Sequence, residues 1–337
     1  MLFLKNFQQI TLANFSEIDT AKTRKTISEL IKYALNSNIE VYRIFPSKSI
    51  FILKKGVKTV WIHKALTSKA SPIGVNVARD KHLTKELLGK LGYPVASGII
   101  ISSEEELAIA KKNIRFPVVV KPASSSEGRG ITINVNDDTL LLESFISAKK
   151  FGKRIIIEKH IPGDYYRLTY IADGSFAAVK NLPAYITGNG SSTARELIYK
   201  ENLSNEERGR NLRLKQITVS EKTRRFLASA GYSLHSVIRA GEKIPLCFGG
   251  FDGGEYIDVT ETIHTDFIIQ AGEISAIIDL PIIGIDIVTT DIARPLKETG
   301  GVIIEINGTF PDIQIHTNPT KGVSRNLAPN LINYLFK

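Results

Sequence analysis

Three oxygen-bearing side chains near the C-terminal end have types and spacing that suit a divalent cation. Glu305 and Asn307 lie two residues apart in an apolar segment, so on a strand their side chains project from the same face. Asp286 interrupts the apolar run from Ile282 to Val288, where a carboxylate is costly to bury unless it is paired or bound to a cation. Because Mg²⁺ prefers oxygen ligands, the pattern predicts a magnesium site. The alternative left open is that Asp286 forms a salt bridge with a nearby lysine and that Asn307 caps the next turn.

A lysine followed by a loop of small residues has the chemistry of a phosphate-binding segment. Lys121 ends an apolar strand that begins at Val118, and small residues after it allow backbone N–H groups to approach phosphate oxygens. The spacing matches neither GxGxxG nor the Walker A pattern. A surface hairpin with an exposed lysine fits this loop equally well. The small residues of this loop include Ser124, Ser125, Ser126, Gly128 and Gly130.

A third segment has the character of a hinge. The strand from Arg154 to Glu158 ends in polar residues and passes into Pro162-Gly163, so its edge offers backbone groups that can hydrogen-bond a planar base. Taken alone, the same pattern fits any transition from a strand to a loop.

The elements that must position these residues divide into three units, for which we predict an α+β (α/β) fold. Residues 1–79 form a small α/β unit with a helix from Ala21 to Asn36, a strand from Glu40 to Phe45, and a hairpin. The hairpin strands are Ser49 to Leu53 and Thr59 to Ile62.

Residues 80–160 form the central α+β lobe and residues 161–337 a strand-rich C-terminal lobe. In the central lobe, Ser103 and Glu106 form a capping box that opens a helix reaching Lys111. Its other predicted elements are helix Lys81 to Lys90, strand Ser97 to Ser102, helix Asp138 to Lys149 and strand Arg154 to Glu158. The C-terminal lobe has helices at Glu221 to Ala230 and Thr265 to Ile278, before a closing pair of strands at Ile283 to Val288 and Gly301 to Ile306.

Composition favours a protein that handles anions in the cytoplasm. The 337 residues carry a formal charge of +10, and the cations are spread along the chain rather than gathered in one basic arm. This distribution favours a cleft that concentrates anions, and makes nucleic-acid binding the less favoured interpretation. The single cysteine, Cys247, excludes an internal disulfide and fits a reducing compartment. Charged residues interrupt every long apolar run, and the N-terminal segment lacks a signal-peptide pattern, so we expect no membrane span and no secretion.

Five motifs, read in their order along the chain, resemble the ATP-grasp superfamily. The similarity is closer to the ATP-grasp region of cyanophycin synthetase and of bifunctional glutathione synthetase, and it runs from about Thr26 to the C-terminus. The motifs are Ala78 to Leu88, Val118 to Gly130, Leu182 to Gly190, Gly253-Gly254 with Ile257 to Thr260, and Gly284 to Asn307. The resemblance implies an ATP-grasp fold with a small N-terminal domain and a nucleotide bound between two α+β lobes.

The same resemblance implies a role for each matching residue. The residues implied to bind ATP are Lys81 and Lys121, the lid loop Ser124, Ser125, Ser126, Gly128, Arg129 and Gly130, the adenine hinge Glu158, Lys159, His160 and Ile161, and Asp164 at the ribose. The residues implied to hold two Mg²⁺ ions are Asp286, Glu305 and Asn307. Arg167 and Lys180 match catalytic positive positions.

The implied function is an ATP- and magnesium-dependent carboxylate-amine ligase that forms an amide through an acyl phosphate. Its partners are small acid and amine substrates, and a homo-oligomer is left open. The alternative is a phosphotransferase or a regulatory ATP-binding protein without ligase activity. Two departures from the relatives fall near the substrate end: the segment Leu246 to Gly254 lacks the arginine that relatives carry, and Gly308 to His316 stands where relatives continue toward Pro-Gly. We therefore expect an altered substrate rather than loss of catalysis. Tyr165 stands where a ribose-binding carboxylate is usual, and Asp164 is its expected substitute. Further residues that we expect near the substrate are His264, His316, Arg208, Arg210 and Arg213.

Overall fold

The computed structural model describes residues 2–17, 25–45, 48–125, 128–205, 208–209, 214–247, 249–309 and 311–337. Ser126, Arg210 and Arg213 therefore lie outside the described residues. Within these ranges, no helix has the length and apolarity that crossing a bilayer requires.

The described chain is built from antiparallel sheets with helices packed against them. The strands are β1 (Gln8–Ile10), β2 (Glu40–Arg43), β3 (Ile50–Lys55), β4 (Lys58–His63), β5 (Leu66–Thr67), β6 (Gly98–Ile101), β7 (Val118–Pro122), β8 (Thr132–Val135), β9 (Ile155–Lys159), β10 (Asp164–Ile171), β11 (Phe176–Leu182), β12 (Tyr185–Thr187), β13 (Lys243–Pro245), β14 (Glu255–Asp258), β15 (Ile282–Thr289) and β16 (Val302–Asn307). The helices are α1 (Lys25–Asn36), α2 (Pro72–Arg79), α3 (Lys81–Lys90), α4 (Leu107–Asn113), α5 (Asp138–Lys149), α6 (Ala194–Ser204), α7 (Glu221–Ser229), α8 (Thr265–Ile278), α9 (Leu296–Thr299), α10 (Gln314–Thr317) and α11 (Ala328–Phe336). Short 3₁₀ helices cover Leu2–Asn6, Phe15–Glu17 and Gly249–Asp252.

The N-terminal sheet shares its core with the C-terminal helix. Its strands follow the order β1-β2-β3-β4-β5 with antiparallel pairing, and the predicted hairpin is the β3–β4 pair. Phe51 and Leu53 of β3 pack in one buried cluster with Leu331 and Leu335 of α11. Helix α11 therefore completes the hydrophobic core of the N-terminal sheet, although more than 200 residues separate the two in the sequence.

The sheet of the central lobe has the order β6-β9-β7-β8, with α4 and α5 packed on it. Helix α5 has both predicted bounds, and it begins after Asp137, whose side chain accepts a hydrogen bond from Leu140 N at 2.7 Å. The capping box predicted at Ser103 was wrong. The Glu106 carboxylate instead accepts a hydrogen bond from Ser102 N, one residue earlier, so α4 begins only at Leu107.

The sheet of the C-terminal lobe presents two different faces. Its order is β14-β11-β10-β15-β16, and the closing strand pair predicted from the sequence is β15–β16. On one face, Leu168 and Ile285 pack against Phe267 and Ile274 of α8 in a buried cluster. Because side chains alternate along a strand, the residues between them point to the other face, which carries Arg167 and the carboxylates described below.

The junction between α2 and α3 is fixed by one carboxylate. Asp80 ends α2 and caps α3, accepting hydrogen bonds from His82 N and Leu83 N. Its other oxygen pairs with Arg154 at 2.8 Å, and the next backbone N–H, of Lys81, donates to Ala123 O. These bonds tie the start of α3 to the central lobe and set the direction of the Lys81 side chain.

A neutral histidine lies in the core beneath the C-terminal sheet. His316 is 1% exposed, its Nε2 lies 2.8 Å from Thr169 Oγ1, and its Nδ1 has no hydrogen-bond partner within the described residues. Burial is the main cause that lowers the pKa of His316 to about 3, and the nearby Arg167 guanidinium lowers it further. The expected place of His316 at the substrate was wrong, because the ring is enclosed by the core.

We predict that Leu331→Ala destabilises the protein by about 2–5 kcal/mol, because it opens a cavity in the shared core. Leu331 is fully buried, whereas Leu203 of α6 is 62% exposed and provides a matched control. Urea unfolding should place Leu203→Ala within about 0.5 kcal/mol of wild type. Equal free energies of unfolding for the two variants would contradict the shared core.

We also predict that the protein becomes less stable as the pH is lowered, because folding keeps His316 in its neutral form. The unfolded histidine binds a proton below about pH 6.5, whereas the folded one does so only near pH 3, so each pH unit of acidification costs up to about 1.4 kcal/mol. Burial lowers the pKa of His63 and His160 in the same direction, so the comparison with variants isolates His316. Between pH 6.5 and 4.5, urea unfolding of His316→Asn should show a flatter decline than wild type. The exposed control His235→Asn should keep the wild-type decline.

Candidate nucleotide and metal site

A buried ion pair lies at the centre of the C-terminal sheet. Arg167 of β10 and Asp286 of β15 are register neighbours, and the guanidinium contacts both carboxylate oxygens, with Nη2 to Oδ2 at 2.9 Å. The Tyr165 hydroxyl and Asn307 Nδ2, the latter at 3.0 Å, also hydrogen-bond Asp286. Burial opposes the charged guanidinium, but the Asp286 charge outweighs it and raises the pKa of Arg167. Burial, and then the same carboxylate, raise the pKa of Tyr165.

The structure brings the three predicted metal ligands together. Asp286 lies directly opposite Glu305, and Asn307 lies opposite Gly284. The three do not have equal access to a cation. Asp286 is enclosed and already contacts Arg167, Tyr165 and Asn307. The salt bridge expected with a lysine is therefore formed with an arginine instead. Glu305 is partly exposed and accepts a hydrogen bond from Lys81 Nζ at 2.9 Å.

Glu305 and Asn307 fit a magnesium ion better than Asp286 does. Both line the cleft described below, and because the Asn307 amide nitrogen donates to Asp286, its amide oxygen is left for a cation. Asp286 orients Asn307 and holds Arg167 in place. Within the described residues, no group of three or more His, Cys, Asp or Glu side chains gathers at one point, so phosphate and water oxygens must complete any coordination sphere.

A second buried charge cluster contains two lysines and one carboxylate. Lys121 Nζ lies 2.5 Å from Glu158 Oε1, and Lys85 Nζ contacts the other oxygen of Glu158. Burial would raise the pKa of Glu158, but the two ammonium groups outweigh it and lower that pKa. Burial lowers the pKa of Lys85, and the neighbouring Lys121 charge adds to this effect. Two cations share one carboxylate, so the cluster is suited to receive an anion.

Lys85 was missed from the sequence, although a signal for it was present. It lies four residues after Lys81, so both lysines project from the same face of α3, about 6 Å apart along the axis. Lys81 reaches Glu305 and also donates to Ser125 O at 2.9 Å, whereas Lys85 reaches Glu158. Helix α3 therefore links the two charge clusters.

The loop after β7 folds back over the first turn of α3. Ser125 Oγ donates to Arg129 O at 3.1 Å, and Gly128 and Gly130 have φ values of 68° and 73°. A Cβ at Gly130 would lie 2.8 Å from the Phe151 ring, so glycine is required there both by conformation and by space. The loop thus places Ser124, Ser125 and Arg129 in the lining of the cleft described next.

A cleft of about 730 Å³ brings these elements together. It is wide enough for a ligand of nucleotide size and is strongly basic. Its lining residues are Lys64, Ala78, Arg79, Lys81, Ser124, Ser125, Arg129, Lys150, Phe151, Arg167, Glu305, Ile306, Asn307, Gly308, Thr309 and Asp312.

The predicted hinge follows β9, with part of its backbone already bonded. Lys159 N donates to Ser97 O at 2.8 Å and His160 N donates to Pro117 O at 3.0 Å. Glu158 is held by its two lysines. The assignment of Glu158, Lys159, His160 and Ile161 to adenine stays a prediction.

Lys180 and Asp164 do not join the cluster around Asp286. Lys180 of β11 pairs with Tyr166, so it projects from the face opposite to Arg167, where its Nζ lies 2.5 Å from Asp164 Oδ2. The geometry does not support the expected catalytic role of Lys180, because the sheet separates it from the Glu305 side. The Asp164 carboxylate, expected at the ribose, is engaged by that same lysine.

The other residues expected near the substrate have structural contacts. Arg208 is buried and its Nη1 donates to Gly253 O at 2.5 Å, where it lines a separate pocket of about 290 Å³ beside α6. His264 caps α8 by accepting a hydrogen bond from Asp266 N.

Comparison with known proteins connects this geometry to an ATP-binding family. Residues 80–166 match the family described as "Carbamoyl-phosphate synthase L chain, ATP binding domain". The cyanophycin synthetase of Geminocystis herdmanii is 34% identical over 302 residues, covering 88% of this chain and 34% of that protein. The glutathione biosynthesis bifunctional protein GshAB of Clostridium perfringens is 30% identical over 349 residues, covering 99% of this chain and 43% of that protein.

A solved structure has a similar fold along nearly the whole chain. The bifunctional glutathione synthetase from Pasteurella multocida superposes with a TM-score of 0.64 and 24% identity, covering 97% of this chain and 45% of that chain. The chain thus spans about a third to less than half of the length of the relatives it matches. Together these matches confirm the resemblance to the ATP-grasp superfamily, and the fold of this chain is the ATP-grasp fold.

Proposed function

We propose that the chain is an ATP-dependent carboxylate-amine ligase that forms an amide or peptide bond and releases ADP and phosphate. The observation that carries the proposal is the Lys81 side chain, which contacts both the carboxylate of Glu305 and the backbone of the lid loop at Ser125. This one ammonium group lies where a terminal phosphate would meet both the metal-ligand strand and the lid. The names of two relatives, a cyanophycin synthetase and a glutathione biosynthesis bifunctional protein, support a synthetase reaction.

In the first step, a substrate carboxylate attacks the γ-phosphorus of ATP, and the bond to the β-phosphate oxygen breaks. An acyl phosphate and ADP result. Lys81 and the lid-loop backbone hold the terminal phosphate in line with the attacking oxygen, and positive charge from Lys81 and Arg129 offsets the charge that spreads over the transferring group. Glu305 and Asn307 would hold Mg²⁺, which when bound neutralises phosphate charge and polarises the transferred group.

In the second step, an amine attacks the acyl carbon, phosphate leaves, and the amine nitrogen loses a proton. The chain needs no nucleophile of its own, so its contribution is positioning and the exclusion of water by the lid loop. We place Lys121, Lys85 and Glu158 at the other end of the nucleotide site, where Lys85 and Lys121 both contact Glu158 and the two cations exceed the one carboxylate by one charge that a nucleotide would balance. Substrates are small molecules, and we place the enzyme in the cytoplasm.

The test of this function is an assay of purified protein with ATP, Mg²⁺ and a panel of carboxylic acids and amines. We expect phosphate release that requires both an acid and an amine, together with an amide product detected by mass spectrometry. A stable phosphorylated acid as the only product would instead establish a phosphotransferase. Nucleotide binding without turnover across the panel would reject a ligase.

We predict that Glu305→Gln lowers kcat by about 100-fold or more, because the site loses a charged metal ligand that acts on the transferring phosphoryl group. The matched control is Glu298→Gln on α9, whose carboxylate is exposed and pairs with Arg294. Both variants should keep the wild-type circular dichroism spectrum. Wild-type kcat in Glu305→Gln would show that the metal site lies elsewhere.

A second prediction concerns Lys121→Ala, which should raise the KM for ATP about tenfold or more while changing kcat less. Lys85 still neutralises Glu158 in this variant, so the variant loses only the proposed contact between the Lys121 side chain and ATP. Lys153→Ala removes an exposed lysine and serves as the control. An unchanged KM for ATP would remove Lys121 from the site.

A further inference from the structure

The Glu158 carboxylate is shared by two lysines that come from different elements. Glu158 lies on β9, between β6 and β7 in the sheet, and projects from the same face as Lys121 of β7. Lys121 Nζ lies 2.5 Å from Glu158 Oε1, and the Lys85 ammonium of α3 contacts Oε2. Each carboxylate oxygen therefore has its own ammonium group.

The Lys121 ammonium is enclosed while it contacts Glu158. The Lys121 side chain is 3% exposed and that of Lys85 is 14% exposed. Among the residues that the structure describes, neither ammonium group has a hydrogen-bond or ion-pair partner besides Glu158. Contact between Lys121 and a nucleotide therefore competes with the contact between Lys121 and Glu158.

The second lysine lowers the cost of that competition. A buried carboxylate that loses its cation is strongly destabilising, but Lys85 stays on Oε2 when Lys121 moves toward an anion. The two ammonium groups also repel each other. Burial is the main cause that lowers the pKa of Lys85, and the Lys121 charge lowers it further. Lys121 thus loses less on leaving Glu158 than a lysine in an isolated pair would.

We infer that Lys85 is a positioning residue for nucleotide binding, because it holds Glu158 and so allows Lys121 to bind ATP. The inference rests on the proposed function, in which Lys121 contacts the nucleotide. Helix α3 then serves both ends of the site, with Lys81 at the terminal phosphate and Lys85 acting through Glu158 and Lys121. The competing explanation is a direct contact between Lys85 and the nucleotide, which would not depend on Glu158.

A double-mutant cycle distinguishes the two explanations. The Kd of a non-hydrolysable ATP analogue with Mg²⁺ is measured by calorimetry for wild type, Lys85→Met, Glu158→Gln and the double variant. Lys85→Met should raise the Kd about tenfold or more, because Lys121 is then the cation left to hold a buried carboxylate. In the Glu158→Gln background, the same change should alter the Kd less than about twofold, because no carboxylate charge needs a partner.

Folding and a second lysine of the same helix provide the controls. Lys90→Met replaces an exposed lysine in the last turn of α3 and should keep the wild-type Kd. Lys85→Met leaves Glu158 paired with Lys121, so its circular dichroism spectrum should match that of wild type. Loss of the fold in Lys85→Met would show a purely structural role and overturn the inference. With a substrate pair that turns over, Lys85→Met should raise the KM for ATP more than it lowers kcat.

Two results of the cycle would also overturn the inference. One is a wild-type Kd in Lys85→Met. The other is an equal rise in Kd with and without the Glu158 carboxylate, which would show that Lys85 acts on the nucleotide directly. Lys121→Ala separates the inference from the proposed function. A wild-type Kd in Lys121→Ala would reject the proposed nucleotide contact and the inference with it. A raised Kd in Lys121→Ala beside a wild-type Kd in Lys85→Met would reject the inference alone.

Discussion

The buried ion pair between Arg167 and Asp286 is the interaction on which the site depends. Each charge would be costly in the interior alone, and two contacts to the guanidinium, with hydrogen bonds from Tyr165 and Asn307, make their burial tolerable. The pair joins the adjacent strands β10 and β15 at one register position. It also fixes the Asn307 amide, which sets the direction of its oxygen. Removing either partner would leave an unpaired buried charge. Removing Asp286 would also remove the hydrogen-bond acceptor that orients Asn307 on β16.

Around this pair, the fold arranges charge in two centres that one helix connects. Helix α3 begins at the Asp80 cap, which Arg154 and the backbone of Ala123 tie to the central lobe. Its first lysine reaches Glu305 in the C-terminal lobe, and its second reaches Glu158 in the central lobe. A nucleotide bound between the lobes, as we propose, would therefore contact both centres.

Much of the fold could be predicted from local pattern, because the signals were local. Helix α5 has a strong N-cap and helix α8 has a continuous apolar face, and both have the predicted bounds. The spacing of Glu305 and Asn307 placed them on one strand face. The resemblance supplied the order of the motifs and the identity of the lysines.

The rest depends on pairings between distant residues. That Asp286 pairs with Arg167, rather than facing the cleft, follows from β10 and β15 being neighbours, although 119 residues separate the two charges. Lys180 was expected at the site because the resemblance implies a catalytic positive position there, but the register with Tyr166 places it on the other face. The capping box predicted at Ser103 does not form, because the Glu106 carboxylate accepts its hydrogen bond from Ser102 N, one position earlier. The sequence therefore identifies the residue types that a site needs. Which face of the sheet each side chain occupies depends on the register between paired strands.

The most direct test of the central claim is a crystal structure with Mg²⁺ and a non-hydrolysable ATP analogue. We predict that a magnesium ion will join the terminal phosphates to Glu305 and Asn307, with Lys81 beside the γ-phosphate and Lys121 beside the nucleotide at the Glu158 end. A triphosphate bound away from Glu305 and Asn307, or a metal ion held without them, would contradict it.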